Sequence, residues 1–275
     1  MPSPTEITVQ ALSRRIGLPD CPAIVDVCMD DDFAANARII PGAEHRSYTD
    51  PEYWAHIYAD REVVIYCQKG KKISQGTVAW LRHAGVKAES LEGGIVAWRE
   101  AGLPVVKTET LPPRDAQGRT VWVTRQRPKV DRIACPWLIR RFVDPKAVFL
   151  FVAPAEVPAV AEYFKAVPFD IDGVHWSHRG DLCTFDVMID EFGIAHPALL
   201  HLARIVRAAD TARLDLAPEA PGLLAASLGL SRMHKDDLTQ LDAGLTLYDA
   251  FYRWCRDASE ETHNWPSPGT ARGGA

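Results

Sequence analysis

Val63-Val64-Ile65-Tyr66-Cys67-Gln68-Lys69-Gly70-Lys71-Lys72-Ile73-Ser74-Gln75-Gly76 joins an apolar run, a cysteine, a basic polar loop and the start of an amphipathic stretch. Read as strand, loop and helix, it fixes a thiol at the end of a rigid strand and turns the unpaired amides and positive dipole end of a helix back toward it. Lys69, Lys71 and Lys72 add positive charge at the same place, which is expected to hold the Cys67 thiol below its usual pKa of about 8.5. The thiolate is the nucleophilic form. Gly70 supplies the positive φ that lets the loop curl closely around a bound group, and the nest of N–H donors from Gln68 to Lys72 suits an anion such as a persulfide or a thiosulfate oxygen. The plainer reading of a cysteine at a strand end is a small buried hydrophobe. The three lysines argue against it, because they are costly to bury and keep the loop exposed. The nucleophile reading requires that position 67 reach solvent and that its thiol ionise more readily than a free cysteine.

On either side of this loop, short apolar runs alternate with amphipathic stretches. Ala23 to Val27 and Glu62 to Tyr66 read as strands, and Gln75 to Ala84 as a helix. That alternation predicts an α/β layer fold with a mainly parallel sheet flanked by helices. Lys107 to Arg119 carries Pro112-Pro113, Asp115 and Gly118 without an apolar period and reads as a linker. A new pattern follows: strands at Val121 to Thr124 and Val148 to Val152, a helix from Pro136 to Phe142 with the proline in its first turn, and helical spacing over Pro197 to Ala209, Gly222 to Leu228 and Asp237 to Cys255. The second half is therefore expected to be helix-rich and α+β. The expected domains are 1–107 and 121–258, with a linker over 108–120 and a disordered tail over 259–275.

Four motifs in order, Ile24-Val25-Asp26-Val27, Ile40-Pro41-Gly42-Ala43, the Cys67 loop and Leu91-Glu92-Gly93-Gly94-Ile95-Val96-Ala97-Trp98, resemble the signature of a single-domain rhodanese. The resemblance implies a five-stranded parallel sheet, a persulfide formed on Cys67, a cradle of Gln68, Lys69, Gly70, Lys71 and Lys72, a sulfur donor such as thiosulfate or a persulfide, and a thiol acceptor. No cofactor is implied for sulfur transfer. One departure is visible, since the family's Asp-Val-Arg stands here as Asp26-Val27-Cys28. Phosphatases of the same fold carry C-x5-R, where an arginine grips phosphate oxygens bidentately. Here the sixth position after Cys67 is Ile73 and the basic residue is Lys72, so the shorter loop disfavours phosphatase chemistry.

Two further clusters stand out in the second half. Arg125, Arg127, Lys129 and Arg132 precede a Cys135-Pro136-Trp137 helix start and form a candidate oxyanion site; the alternative is an ion-pair network in which Asp131 bridges the arginines. His178, Cys183 and Asp186 form a candidate divalent-metal site; the alternative is a polar turn leading into a helix cap. Asp210 is a further carboxylate, and Asp236-Asp237 reads as a cap for the last helix. The stretches Trp122 to Trp137, His178 to Asp186 and Val206-Arg207-Ala208-Ala209-Asp210 are similar to the C-terminal domain of the chromate-resistance protein B family. That resemblance implies an association with chromate or another oxyanion and defines no reaction.

With 36 acidic and 31 basic residues the net charge is -5, which offers no global attraction to nucleic acid or anionic membrane. No apolar run approaches the ~20 residues of a membrane span, and the opening MPSPTEITVQ lacks the basic and apolar regions of a secretory signal, so a cytoplasmic location is expected. Six cysteines without C-x-x-C spacing read as reduced thiols, and 47% hydrophobic residues suffice for two packed cores. The function expected is a cytoplasmic sulfurtransferase linked to chromate or oxyanion stress. Two alternatives stay open: a chromate or redox sensor with a non-catalytic rhodanese module, and a metal-dependent enzyme centred on the second half.

Overall fold

The computed structural model describes residues 5–35 and 37–261. Its first half runs β1 (Glu6–Ile7), α1 (Val9–Ser13), β2 (Ala23–Asp26), α2 (Asp30–Ala35), β3 (Arg38–Ile39), β4 (Ala43–His45), α3 (Pro51–Ala55), β5 (Glu62–Tyr66), α4 (Lys72–His83), β6 (Lys87–Leu91), α5 (Gly94–Glu100) and β7 (Val106–Lys107). A five-stranded sheet in the order β1-β6-β5-β2-β4 is parallel throughout, while β3 and β7 form a separate antiparallel ribbon. Val63, Val64, Ile65 and Tyr66 are all at most 1% exposed, because helices cover both faces of the central strand. Val63, Ile65 and Cys67 pack with Val78 and Leu81 of α4, whereas Val64 and Tyr66 belong to the core that holds Ile95 and Trp98 of α5. Strand alternation thus carries Cys67 to the α4 side of the sheet.

The second half contains β8 (Val121–Arg125), α6 (Asp131–Leu138), β9 (Val148–Val152), α7 (Val157–Phe164), β10 (Val167–Pro168), α8 (Thr184–Phe192), α9 (Pro197–Asp210), α10 (Ala220–Met233) and α11 (Asp237–Asp257). Its three strands are parallel in the order β10-β8-β9. The helix expected to start at Pro136 starts at Asp131 instead. Pro136 lies inside it and cannot donate to the carbonyl of Arg132, and beyond Leu138 the chain widens into a π-helical turn over Ile139–Val143. The connection over 108–120 is ordered by its own hydrogen bonds: Asp115 accepts from the amides of Gln117 and Arg119, each at 2.9 Å, and pairs with the Arg119 guanidinium at 2.8 Å. The expected tail over 259–275 lies, from residue 262 onward, outside the described residues.

Two separate cores were expected, but one apolar cluster runs from Ile24 and Trp98 into Trp137, Phe142 and Tyr252. At the junction Gly17 faces the Phe142 ring so closely that an added Cβ would lie 2.5 Å from it. The Gly42 amide donates to the Phe142 carbonyl at 2.7 Å, and Lys146 Nζ pairs with Glu44 at 3.2 Å. Among the described residues no helix is long and apolar enough to cross a membrane.

Candidate functional site

Cys67 leaves the end of β5 and lies against the start of α4. Its Sγ is 3.3 Å from Ser74 Oγ, to which it donates as a thiol and from which it accepts once ionised. Burial pushes the Cys67 thiol up, but the Ser74 hydroxyl and the amides of Ser74, Lys71 and Lys69 outweigh it and hold the thiol below its ordinary value. The lysines therefore contribute through their main-chain amides, and the expectation that their ammonium charges would lead is corrected. Lys69, Lys71 and Lys72 are exposed, as the reading of a basic loop requires. Cys67 itself retains only 6% of its surface, so position 67 is far more enclosed than expected and reaches solvent only through that remainder.

The loop is held from below by α5. The amides of Ile95 and Val96 donate to the carbonyls of Cys67 and Gln68, both at 3.1 Å. This leaves no room for a side chain at either glycine: a Cβ on Gly70, at φ +62°, would lie 2.3 Å from the Leu91 carbonyl, and one on Gly94, at φ +60°, would lie 2.5 Å from the Gly70 amide. Cys28, at the family's arginine position, donates its amide to Asp26 Oδ1 at 2.8 Å and is itself buried, with its thiol pushed up by burial and then by the Asp26 charge.

A second constellation lies at the carboxyl end of the β10-β8-β9 sheet. His178 Nε2 stands 3.5 Å from Asp131 Oδ2, 3.4 Å from Asp170 Oδ1 and 3.3 Å from Asp210 Oδ2. Hydrogen bonding to Asp131 and Asp170 pushes the imidazole up to about 10. Burial, followed by the charges of Asp131 and Asp170, pushes the Asp210 carboxyl up to about 7. Asp131 also accepts the amides of Thr184 at 2.8 Å and Phe185 at 3.1 Å, capping α8 from another helix. Asp170 receives the Thr184 hydroxyl at 3.0 Å and the guanidinium groups of Arg132 at 3.2 Å and Arg125 at 3.4 Å.

The rhodanese-like domain family matches residues 8–101, and the family described as ChrB, C-terminal domain, matches residues 122–255. A sulfurtransferase of Allochromatium vinosum is 31% identical over 105 residues, which make up 38% of this chain and 96% of that protein. The chain belongs to the rhodanese-like family, and its second half matches the ChrB C-terminal family. Protein ChrB of Cupriavidus metallidurans is 37% identical over 142 residues, 51% of this chain; the match spans only 42% of that relative's length. The solved structure of a rhodanese-like domain protein from Staphylococcus aureus is 29% identical, with 34% of this chain and 90% of that one covered and a TM-score of 0.30.

Within the rhodanese-like module, the amides of Lys69, Lys71 and Ser74 are the groups of the loop and helix start that face Cys67. Sequence reasoning passed over Ser74 as a functional residue, although a hydroxyl in the first turn of the following helix is a readable signal. In the ChrB-like half the candidate groupings are redrawn. Arg125, Arg127, Lys129 and Arg132 do not converge on an oxyanion site. Arg125 and Arg132 are spent on Asp170, Lys129 is exposed, and Arg127 turns to the end of α10, donating to the carbonyls of His234 and Lys235 at 2.9 Å each and also to Ser231. The alternative ion-pair network is what forms, with Asp170 rather than Asp131 bridging Arg125 and Arg132, while Asp131 caps α8. His178, Cys183 and Asp186 also part company. Cys183 and Asp186 form the capping box of α8, with the Cys183 amide 3.1 Å from Asp186 Oδ2, and Arg207 pairs with Asp186 at 3.3 Å. Burial and the neighbouring carboxylates hold the Cys183 thiol well above its ordinary value, which disfavours the thiolate a metal needs. His178 joins Asp131, Asp170 and Asp210, and no local spacing could have shown this, because the four come from four separate segments.

Proposed function

We propose that the rhodanese-like module moves sulfane sulfur through a persulfide on Cys67, and that the ChrB-like half ties this activity to chromate or a related oxyanion stress. The observation that carries the reading is the lowered Cys67 thiol, held by Ser74 and by amides of its own loop. The Cys67 thiolate attacks the outer sulfur of thiosulfate, the donor's S–S bond breaks, and its electron pair leaves with sulfite. The new persulfide carries its charge on the terminal sulfur, where the loop amides stabilise it. An acceptor thiolate or cyanide then attacks that sulfur, takes it, and returns the Cys67 thiolate. Because the residue keeps 6% of its surface, the loop admits a slender donor more readily than a protein persulfide.

The test is sulfur transfer from thiosulfate to cyanide by the full chain and by Cys67→Ala, with intact-mass measurement after thiosulfate alone. Thiocyanate formation and one added sulfur atom in the wild type, both absent in the variant, support the reading. Equal activity in the two proteins, or no sulfur added to Cys67, overturns it.

A further inference from the structure

We propose that Asp131, Asp170, His178 and Asp210 form a binding site for one divalent first-row transition-metal ion, of the Mn2+ or Zn2+ kind, at the carboxyl end of the second sheet. This inference is independent of the Cys67 chemistry. One ligand atom from each of Asp131, Asp170 and His178 lies within 4.8 Å of the others, close enough for a single ion to span them. The His178 geometry points to an ion rather than to a simple ion pair. One imidazole nitrogen stands 3.3–3.5 Å from oxygens of three different carboxylates. Its single N–H can be donated to one of those oxygens at a time, and although Thr184 also donates to Asp131 Oδ2 and Asp170 Oδ1, three carboxylates remain gathered on one imidazole nitrogen. A cation coordinated by the unprotonated nitrogen and by Asp131 and Asp170 would offset this gathered negative charge, with Asp210 Oδ2 3.3 Å from the same nitrogen.

A second observation comes from β8. Thr124 is wholly buried and its hydroxyl has no protein partner. Strand alternation puts it on the same side of β8 as Trp122, which packs with residues of α6 and α8, and it directly precedes Arg125, whose guanidinium pairs with Asp170. A buried hydroxyl without a partner is costly unless something polar lies over it, and a metal-bound water would supply that. The outer shell is also built: Thr184 Oγ1 on Asp170, the α8 amides on Asp131, and Arg132 on the remaining Asp170 oxygen hold the carboxylates in place. Three carboxylates and one imidazole select a borderline or hard divalent ion. The nearby thiols of Cys135 and Cys183 are occupied as donors to Asp131 and Asp186, which removes the soft ligands that copper(I) would need.

The experiment titrates the chelator-treated full chain with Mn2+ alone and with Zn2+ alone by calorimetry, beside Asp210→Asn and His178→Gln. These two positions are chosen because they cap no helix. One equivalent of ion bound by the wild type, weakened at least tenfold in each variant, is the expected result. An imidazole-nitrogen hyperfine coupling on wild-type-bound Mn2+ is also expected, and this readout does not depend on either variant folding. Saturable binding of neither ion, unchanged affinity in both variants, or bound Mn2+ without the nitrogen coupling overturns the proposal.

Discussion

Gly94 lies against the carbonyl of Cys67 so closely that a methyl group added to it would sit 2.1 Å from that oxygen. The start of α5 is thereby locked under the loop that carries the sulfur, and the register of the whole cradle depends on a residue almost thirty positions downstream. Gly94→Ala must move backbone, because the clashing atoms are main-chain and the φ of +60° is itself unfavourable for a side chain. The expected loss is about 1–3 kcal/mol in chemical denaturation, together with most sulfur transfer. Gly102 is the control: it has the same sign of φ at +68° and open space around it. Gly102→Ala should cost only about 1 kcal/mol and leave transfer intact.

Alkylation of the folded protein should be selective. Burial is the leading cause that raises the thiols of Cys21, to about 11, and Cys255, to about 12, as well as those of Cys28, Cys135 and Cys183, while Cys67 alone is lowered. Iodoacetamide mapped by mass spectrometry should label Cys67 first, with all six labelled in denaturant. Ser74→Ala should move the pH midpoint of Cys67 labelling upward. The sign for stability follows from the depressed folded value: ionisation of Cys67 stabilises the fold fully above the unfolded thiol pKa, and this contribution is lost as pH falls through the lower folded value. A labelling midpoint for Cys67 equal to that of a free cysteine would contradict this.

Arg127 serves α10 rather than an anion. Its guanidinium donates to three carbonyls at the end of that helix and pairs with Asp237 at 3.7 Å, while its own amide donates to the Asp237 carboxylate at 3.1 Å. Arg127→Ala should lower stability by about 1–3 kcal/mol through orphaned carbonyls, with the rate of sulfur transfer at 25 °C unchanged. Denaturant titration and the thiocyanate assay on the same preparation check both halves of the statement.

Phe142 is the hinge of the packing between the two halves. It is fully buried, meets the Trp137 and Tyr252 rings edge-to-face and faces Gly17. Phe142→Ala should cost about 3–5 kcal/mol, the range for removing a core phenyl ring. Calorimetry should show the wild type unfolding in one transition and the variant in two, since the cavity opens where one core joins both halves.

Sequence alone settled what is local in this chain. An apolar run ending in Cys67, a glycine, three lysines and a helix start are contiguous, so the order strand, loop and helix is written in neighbouring residues, although α5 sets the final register of the loop. For that reason β5, β9 and the start of α9 fall where the pattern predicts. Asp236 likewise caps the last helix as expected, accepting from the Thr239 amide at 2.8 Å. Tertiary structure decided which charges meet. Arg125 and Arg127 are two residues apart, yet one ends on Asp170 and the other on α10, because β8 ends at Arg125 and the chain turns at Arg127, with φ +57°. His178 and Cys183 likewise separate, while Asp131, Asp170, His178 and Asp210 converge from a strand end, a loop and two helices. Coulomb attraction acts through space and not along the chain, so its partners are chosen only once the helices have packed.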